Sequence, residues 1–159
     1  NLTVASGHGI NFAATGDGAG SMSAELFDDY EEGSWTPTLT ASSNPTVTYD
    51  SVRHGYYTKI GRHVFIIGRI RTDGVSGGSG DIKVAGLPYT ESGIDGNNYT
   101  SGGGVISDGF ANGHNPHSTM VIADTNTFYL VRSNYTIVDV DDLSSSANAN
   151  QVQFSFHYS

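Results

Sequence analysis

The chain has 159 residues, with 7 Lys or Arg against 16 Asp or Glu for a formal charge of −9, and it contains no cysteine. Glycine supplies 21 residues and Ser plus Thr 34, while charged residues make up only 14%, against about 7% Gly and about 25% charged residues in ordinary globular chains. This balance excludes a basic footprint for nucleic acid or anionic lipid, a disulfide framework and thiolate chemistry, and collagen, because the glycines keep no period of three. Aromatic residues at 11% and tight apolar runs such as Val64-Phe65-Ile66-Ile67 exclude a disordered chain. No apolar stretch reaches the length of a membrane span, and no charged-then-apolar leader opens the sequence. The length suits one domain, and a start on Asn1 reads as a fragment or a processed product.

In chain order, residues 1–24 come first. They are Gly-rich, carry spaced apolar residues (Leu2, Val4, Ile10, Phe12) and have Asp17 as the lone acid. So little apolar surface cannot form a core. The segment reads as an extended arm, ordered by contact with copies of itself or with an upstream module. A globular domain follows over 25–159.

Within that domain helical periodicity is almost absent, and strand alternation recurs wherever apolar residues cluster. Strands are expected near 35–40, 46–49, 54–60, 63–71, 81–87, 104–107, 118–123, 126–132, 135–140 and 151–158. Over 63–71, Val64, Ile66 and Ile70 point one way, while Phe65, Ile67, Arg69 and Arg71 point the other. The first set reads as core; the second starts apolar and ends charged, the mark of a face covered at one end. The last strand alternates Val152, Phe154, Phe156 and Tyr158 against Gln151, Gln153, Ser155 and His157. Gly, Asn, Asp and Pro clusters separate these runs. About ten short strands with such turns predict an all-β fold, a β-sandwich or jelly roll.

The stretch Glu25-Leu26-Phe27-Asp28-Asp29-Tyr30-Glu31-Glu32-Gly33-Ser34-Trp35-Thr36-Pro37-Thr38-Leu39 resembles the opening segment of a C-terminal knob domain found on bacteriophage tail fibres and tailspikes. Two further blocks fit that resemblance: Gly55-Tyr56-Tyr57-Thr58-Lys59-Ile60-Gly61-Arg62, and Gly80-Asp81-Ile82-Lys83-Val84-Ala85-Gly86-Leu87-Pro88-Tyr89. The likeness covers roughly 25–90 well and the terminal strand loosely; Phe156 stands where that family usually has Gly. It implies a homotrimeric knob at a virion fibre tip, made in the bacterial cytoplasm and joined to upstream fibre domains. Its role would be trimerisation, host-surface binding or both. In that setting Leu2, Val4, Ile10 and Phe12 of the arm, with Phe65 and Ile67 of the strand, are the expected trimer contacts.

Several motifs suggest chemistry. The acidic run Asp28-Asp29-Tyr30-Glu31-Glu32 beside Trp35 resembles a glycosidase carboxylate pair next to a sugar-stacking ring, but carboxylates adjacent in sequence diverge, whereas glycoside hydrolysis needs two facing one bond. The run reads instead as a solvated connector meeting Arg62 or Arg69. Gly74-Val75-Ser76-Gly77-Gly78 matches the nucleophile-elbow pattern, which requires a helix after it; a strand is expected there. His114-Asn115-Pro116-His117 offers two imidazoles in a loop with Asp108 as an oxygen donor, and exposed loop histidines are the plainer assignment. No phosphate-binding or dinucleotide motif is present. Three sequons, including Asn134-Tyr135-Thr136, fall within chance for this composition. Arg53, Lys59, Arg62, Arg69 and Arg71 form a basic stripe that suits either an acidic polysaccharide or, more simply, the acidic opening segment.

Rings beside amides in the Gly/Asn-rich loops suit sugar recognition. Tyr99, Asp108, Asn112, His114, His117 and Tyr129 are the candidate glycan contacts. The expected function is non-catalytic binding of a host-surface polysaccharide by a trimeric tip, with a purely structural trimer cap as the alternative. No cofactor, metal, nucleic acid or membrane insertion is expected.

Overall fold

Period-two alternation organises almost the whole of the domain. The computed structural model describes residues 3, 5, 8–11, 26, 27, 29–91 and 99–159. Its strands, in order, are β1 Ile10–Asn11, β2 Leu26–Phe27, β3 Tyr30–Trp35, β4 Thr38–Thr40, β5 Thr46–Tyr49, β6 His54–Ile60, β7 His63–Ser76, β8 Lys83–Ala85, β9 Tyr99–Asp108, β10 Ser118–Ile122, β11 Thr127–Arg132, β12 Thr136–Ile137 and β13 Ala149–Tyr158. Among the described residues only three short 3-10 turns, Ala111–Gly113, Ser133–Tyr135 and Val140–Asp142, are helical. The chain is all-β.

Eleven strands make one antiparallel sheet in the order β3-β6-β7-β13-β9-β10-β11-β8-β4, with β5 added to β7 and β12 to β11. Its two end strands, β3 and β4, are joined by Thr36 and Pro37 alone. The three Cα steps from Trp35 to Thr38 span at most about 11 Å, so the ends of the sheet are held together and the sheet curls on itself. Proline breaks what the alternation suggested was one strand over 35–40. It has no N–H to donate, and it restricts the residue before it. β3 therefore pairs with β6, and β4 with β8.

The second crossing is made by β9. Residues 105–108 pair with β13, and residues before them pair with β10. Gly102 and Gly103 sit at the transfer, where a Cβ on Gly103 would lie 1.9 Å from the Ser155 carbonyl oxygen and one on Gly102 would lie 2.0 Å from that of Thr119. The register slips between Ser118 and Met120. Thr119, buried at the slip, accepts the Gly103 N–H through Oγ1 at 2.9 Å, replacing a ladder bond lost to the bulge.

The core lies inside the curl. Phe128 of β11 is fully buried with its ring centroid 5.1 Å from Phe154 and 4.9 Å from Phe156 of β13. Ile70, Ile82, Val84, Val121, Leu130 and Val138 complete it with no exposed surface. Burying side chains of this size contributes about 1.5–3 kcal/mol each.

Four segments that lie far apart in sequence meet at one edge. The Trp35 indole covers Gly55, and Glu31 accepts hydrogen bonds from the Tyr57 hydroxyl and, at 2.6 Å, from that of Tyr89. Tyr89 in turn exchanges backbone hydrogen bonds with the Tyr158 hydroxyl, accepting at 3.0 Å and donating at 3.2 Å. The opening segment, the 55–62 block, the 80–89 block and the last strand are therefore one connected structure.

Other departures from expectation have plain causes. The strand at 63–71 runs on to Ser76 because β5 extends the ladder. The stretch 135–140 holds parts of two 3-10 turns and the short β12 instead of one continuous strand, since Asn134 and Tyr135 take φ of 62° and 57°. In the arm, Ile10 pairs with Phe27 within the same chain. Leu2, Val4 and Phe12 lie outside the described residues.

Candidate functional site

Two surfaces stand out, and the sheet generates the first. On the outer face of β6, β7, β13 and β9 the alternation places Tyr56, Phe65, Ile67 and Ile106, which are 54%, 49%, 55% and 72% exposed. The ladder pairs Tyr56 with Ile67, while Ser155 and Gln153 of β13 stand between Ile67 and Ile106. A trough of about 640 Å³ runs between His54, Tyr56, Ile67, Arg69 and Ile106. A second hollow of about 430 Å³ beside Phe65, Gly103 and His157 shares Ile67 and Ser155 with it. Phe65 and Ile67, expected as contacts, are thus outward and solvent-facing, and Ile106 and Tyr56 join them. Ile106 escaped notice because its strand is marked by glycines, not by apolar alternation.

The second surface is a polar cleft of about 310 Å³ between the 111–117 loop and the end of β11, lined by residues that include His114, Asn115, His117, Arg132, Asn134 and Thr136. A buried carboxylate builds it. Asp142 meets His114 Nδ1 with one oxygen; the other accepts the Asp139 N–H at 2.9 Å and lies 3.4 Å from the Arg132 guanidinium. Asp139 caps the Val140–Asp142 turn in a capping box, which fixes Asp142 in place. On the loop side the Asn115 amide oxygen accepts the Phe110 N–H at 3.2 Å, and the His117 N–H donates to the Val131 carbonyl at 2.8 Å. Both walls are therefore tied to the core.

Of the candidate glycan contacts, the cleft brings His114 and His117 together. Asn112, at φ 54°, adjoins the cleft residue Gly113 without lining it. Asp108 ends β9 opposite Gln151, and Tyr129 lies on β11 with the Lys83 ammonium 5.4 Å from its ring centre. Neither lines the cleft. The Tyr99 side chain lies outside the described residues. Sequence reading missed Arg132, Asn134 and Thr136 of the cleft; the signal was the turn-forming Ser133-Asn134 pair after an apolar strand.

The acidic opening segment is engaged by its neighbours. Asp29 pairs with Lys59, Glu32 accepts from Tyr30, and Glu31 holds Tyr57 and Tyr89. The Tyr57 and then the Tyr89 hydroxyl hold the Glu31 carboxyl below its ordinary range. The partner of the run is Lys59, where Arg62 or Arg69 had been expected. Arg69 donates to Gln151 at 2.7 Å, Arg71 pairs with Asp50 at 2.7 Å, and Arg53 lies 4.0 Å over the Tyr49 ring. Most of the basic stripe is thus spent inside the chain. Ser76 of the Gly-x-Ser-x-Gly match ends β7 opposite Thr46, and the chain goes on to a bridge at Ser79 and then β8.

Among the described residues no group of three His, Asp or Glu side chains is arranged to hold a metal ion, and no helix is long and apolar enough to cross a membrane. No protein-family model, curated protein or solved structure matches the chain.

Proposed function

We propose that the chain is the C-terminal knob of a bacteriophage tail fibre or tailspike, a jelly-roll-like β-sandwich that trimerises at the virion's fibre tip and binds a host-surface glycan without catalysis. The observation that carries the proposal is the outer sheet face. Four large apolar side chains stand about half-exposed or more on this face, Tyr56, Phe65 and Ile67 together on β6 and β7 and Ile106 on β9 across the polar outer residues of β13, and exposed apolar side chains gathered on one face mark an association surface. In a threefold assembly each subunit presents this face to a different surface of the next, a contact that closes after three copies.

The convergence of Glu31, Trp35, Gly55, Tyr57 and Tyr89 supports the family assignment, because it gives the three resembling blocks one shared structural reason. The non-catalytic role is supported by the carboxylates of the opening segment, which are held by Tyr and Lys partners. A purely structural cap would need the apolar face alone. The polar cleft favours a binding role, and three copies would add avidity to weak single sites. Residues 1–24 would lead to upstream fibre domains.

Glycan-array profiling of the whole chain tests the binding half of the proposal. Retention on one class of saccharide is expected, and absence of binding at any density would contradict it. Release of reducing ends from a bound polysaccharide would contradict the non-catalytic half.

A further inference from the structure

Resting on the glycan-binding reading above, we infer that the saccharide site is the cleft between the 111–117 loop and the Ser133–Tyr135 turn. Its ligand is an acidic saccharide, one carrying a uronate- or sialate-type carboxylate, and Tyr135 is the ring on which the sugar stacks.

The turn supplies the first observation. Asn134 and Tyr135 both hold left-handed backbone, with φ of 62° and 57°. Consecutive positions of this kind favour Asn-Gly, because glycine alone adopts the conformation without steric cost. Asn134 fits that preference; Tyr135 does not. Its side chain is 93% exposed, so it makes almost no contact with the rest of the chain, and no core gain offsets the strain. Strained residues of this type collect at functional sites. Tyr135 stands between Asn134 and Thr136, two residues that line the cleft, and is not itself part of that lining; an exposed ring beside a polar cleft can present a flat apolar face to a sugar.

Charge supplies the second observation. The cleft wall carries two imidazoles and a guanidinium, from His114, His117 and Arg132, and no carboxylate, in a chain whose formal charge is −9. Asp142 sits behind that wall and orients it. By taking His114 Nδ1 it leaves Nε2 as the ring nitrogen available to a ligand. Arg132 lines the cleft and faces Asp142 through one terminal nitrogen. A guanidinium has five donors in a planar fork matched to a carboxylate. A neutral sugar needs no such wall, whereas a carboxylate-bearing one does. The amide of Asn134 and the hydroxyls of Ser133 and Thr136 are then placed for sugar hydroxyls.

Titration calorimetry on the whole chain tests this with oligomers of galacturonate, glucuronate and sialate, each beside its carboxyl-reduced neutral counterpart. At least one acidic oligomer is expected to bind and to lose tenfold or more in affinity on carboxyl reduction. The same loss is expected in His117→Ala and in Tyr135→Ala, whose side chains are exposed, and Tyr135→Trp should retain binding. Tyr135→Gly should abolish binding while raising Tm, an outcome that a merely structural tyrosine would not give. Acidic binding untouched by these variants would overturn the site and leave glycan recognition standing. Neutral oligomers bound as tightly as acidic ones would overturn the ligand class. No binding of any oligomer would overturn the inference, and a blank glycan array would bring down the glycan reading with it.

Discussion

Gly68 of β7 stands directly across the ladder from Phe154 of β13, and the edge of the Phe154 ring lies 2.4 Å from where a Gly68 Cβ would be. The next strand repeats the relationship, with Trp35 covering Gly55, which is itself paired with Gly68. One row across four strands therefore reads Trp35, Gly55, Gly68, Phe154, and the two rings meet over the glycines at 6.0 Å between centroids. The glycines form a slot in the inner face, and the aromatic rings fill it.

Substituting Val for Gly68 or Gly55 should therefore destabilise the chain by about 1–3 kcal/mol, the usual cost of overpacking a filled core. A Cβ on Gly104 meets nothing within 4 Å, so Gly104→Ala should change stability by less than about 0.5 kcal/mol. Urea unfolding of the three variants checks both statements.

Acid stability should depend on Glu31. Its carboxyl is held below the ordinary range by the Tyr57 and Tyr89 hydroxyls. The stability it contributes is fully present above the ordinary glutamate value and is lost as pH falls through the lowered one. Thermal melts of Glu31→Gln against the parent should show a lower Tm at neutral pH and a shallower loss of Tm below about pH 4. Parallel acid limbs would contradict this.

At the other end of the scale, burial pushes the Tyr158 hydroxyl up to about 12. A raised tyrosine favours the neutral form in the folded chain, so its contribution is complete below pH 10 and declines as pH rises from 10 towards 12. Tyr158→Phe should remove part of that alkaline decline. It also loses the hydrogen bonds to the Tyr89 backbone, which costs about 0.5–1.5 kcal/mol for each at neutral pH. Unfolding followed across pH 8–12 measures both effects.

Turn strain can be measured apart from binding. Tyr135→Gly should stabilise the chain by roughly 1 kcal/mol, because φ 57° is left-handed backbone in which Tyr is disfavoured. Destabilisation by this substitution would mean that the ring carries a structural contact.

Much of the sheet could be read directly from alternation. Val64, Ile66 and Ile70 are inside as expected, Phe65 and Ile67 outside, and Val152, Phe154, Phe156 and Tyr158 line the core. What alternation could not show was which strands pair, because that depends on contacts remote in sequence. The two-residue link at Thr36-Pro37 joins opposite ends of the sheet, and nothing local announces it. The cleft was half legible. His114 and His117 drew notice as residue types, whereas Arg132 and Tyr135 entered only through a turn conformation and through Asp142, a carboxylate buried 28 positions beyond His114. The glycine excess likewise gained its meaning in the structure: Gly55 and Gly68 make room for rings, and Gly102 and Gly103 let β9 cross.

The proposal as a whole rests on association through the outer face of β6, β7, β13 and β9. Completing the burial of Tyr56, Phe65, Ile67 and Ile106 would contribute roughly 1 kcal/mol per side chain and per copy, enough to be disrupted by two charges. Light scattering of the whole chain at micromolar concentration should give a mass three times 16.8 kDa, and the doubly substituted Phe65→Asp, Ile67→Asp chain, folded by circular dichroism, should fall to the single-chain mass. A parent that scatters as a monomer, or a double variant that stays trimeric, would contradict the account.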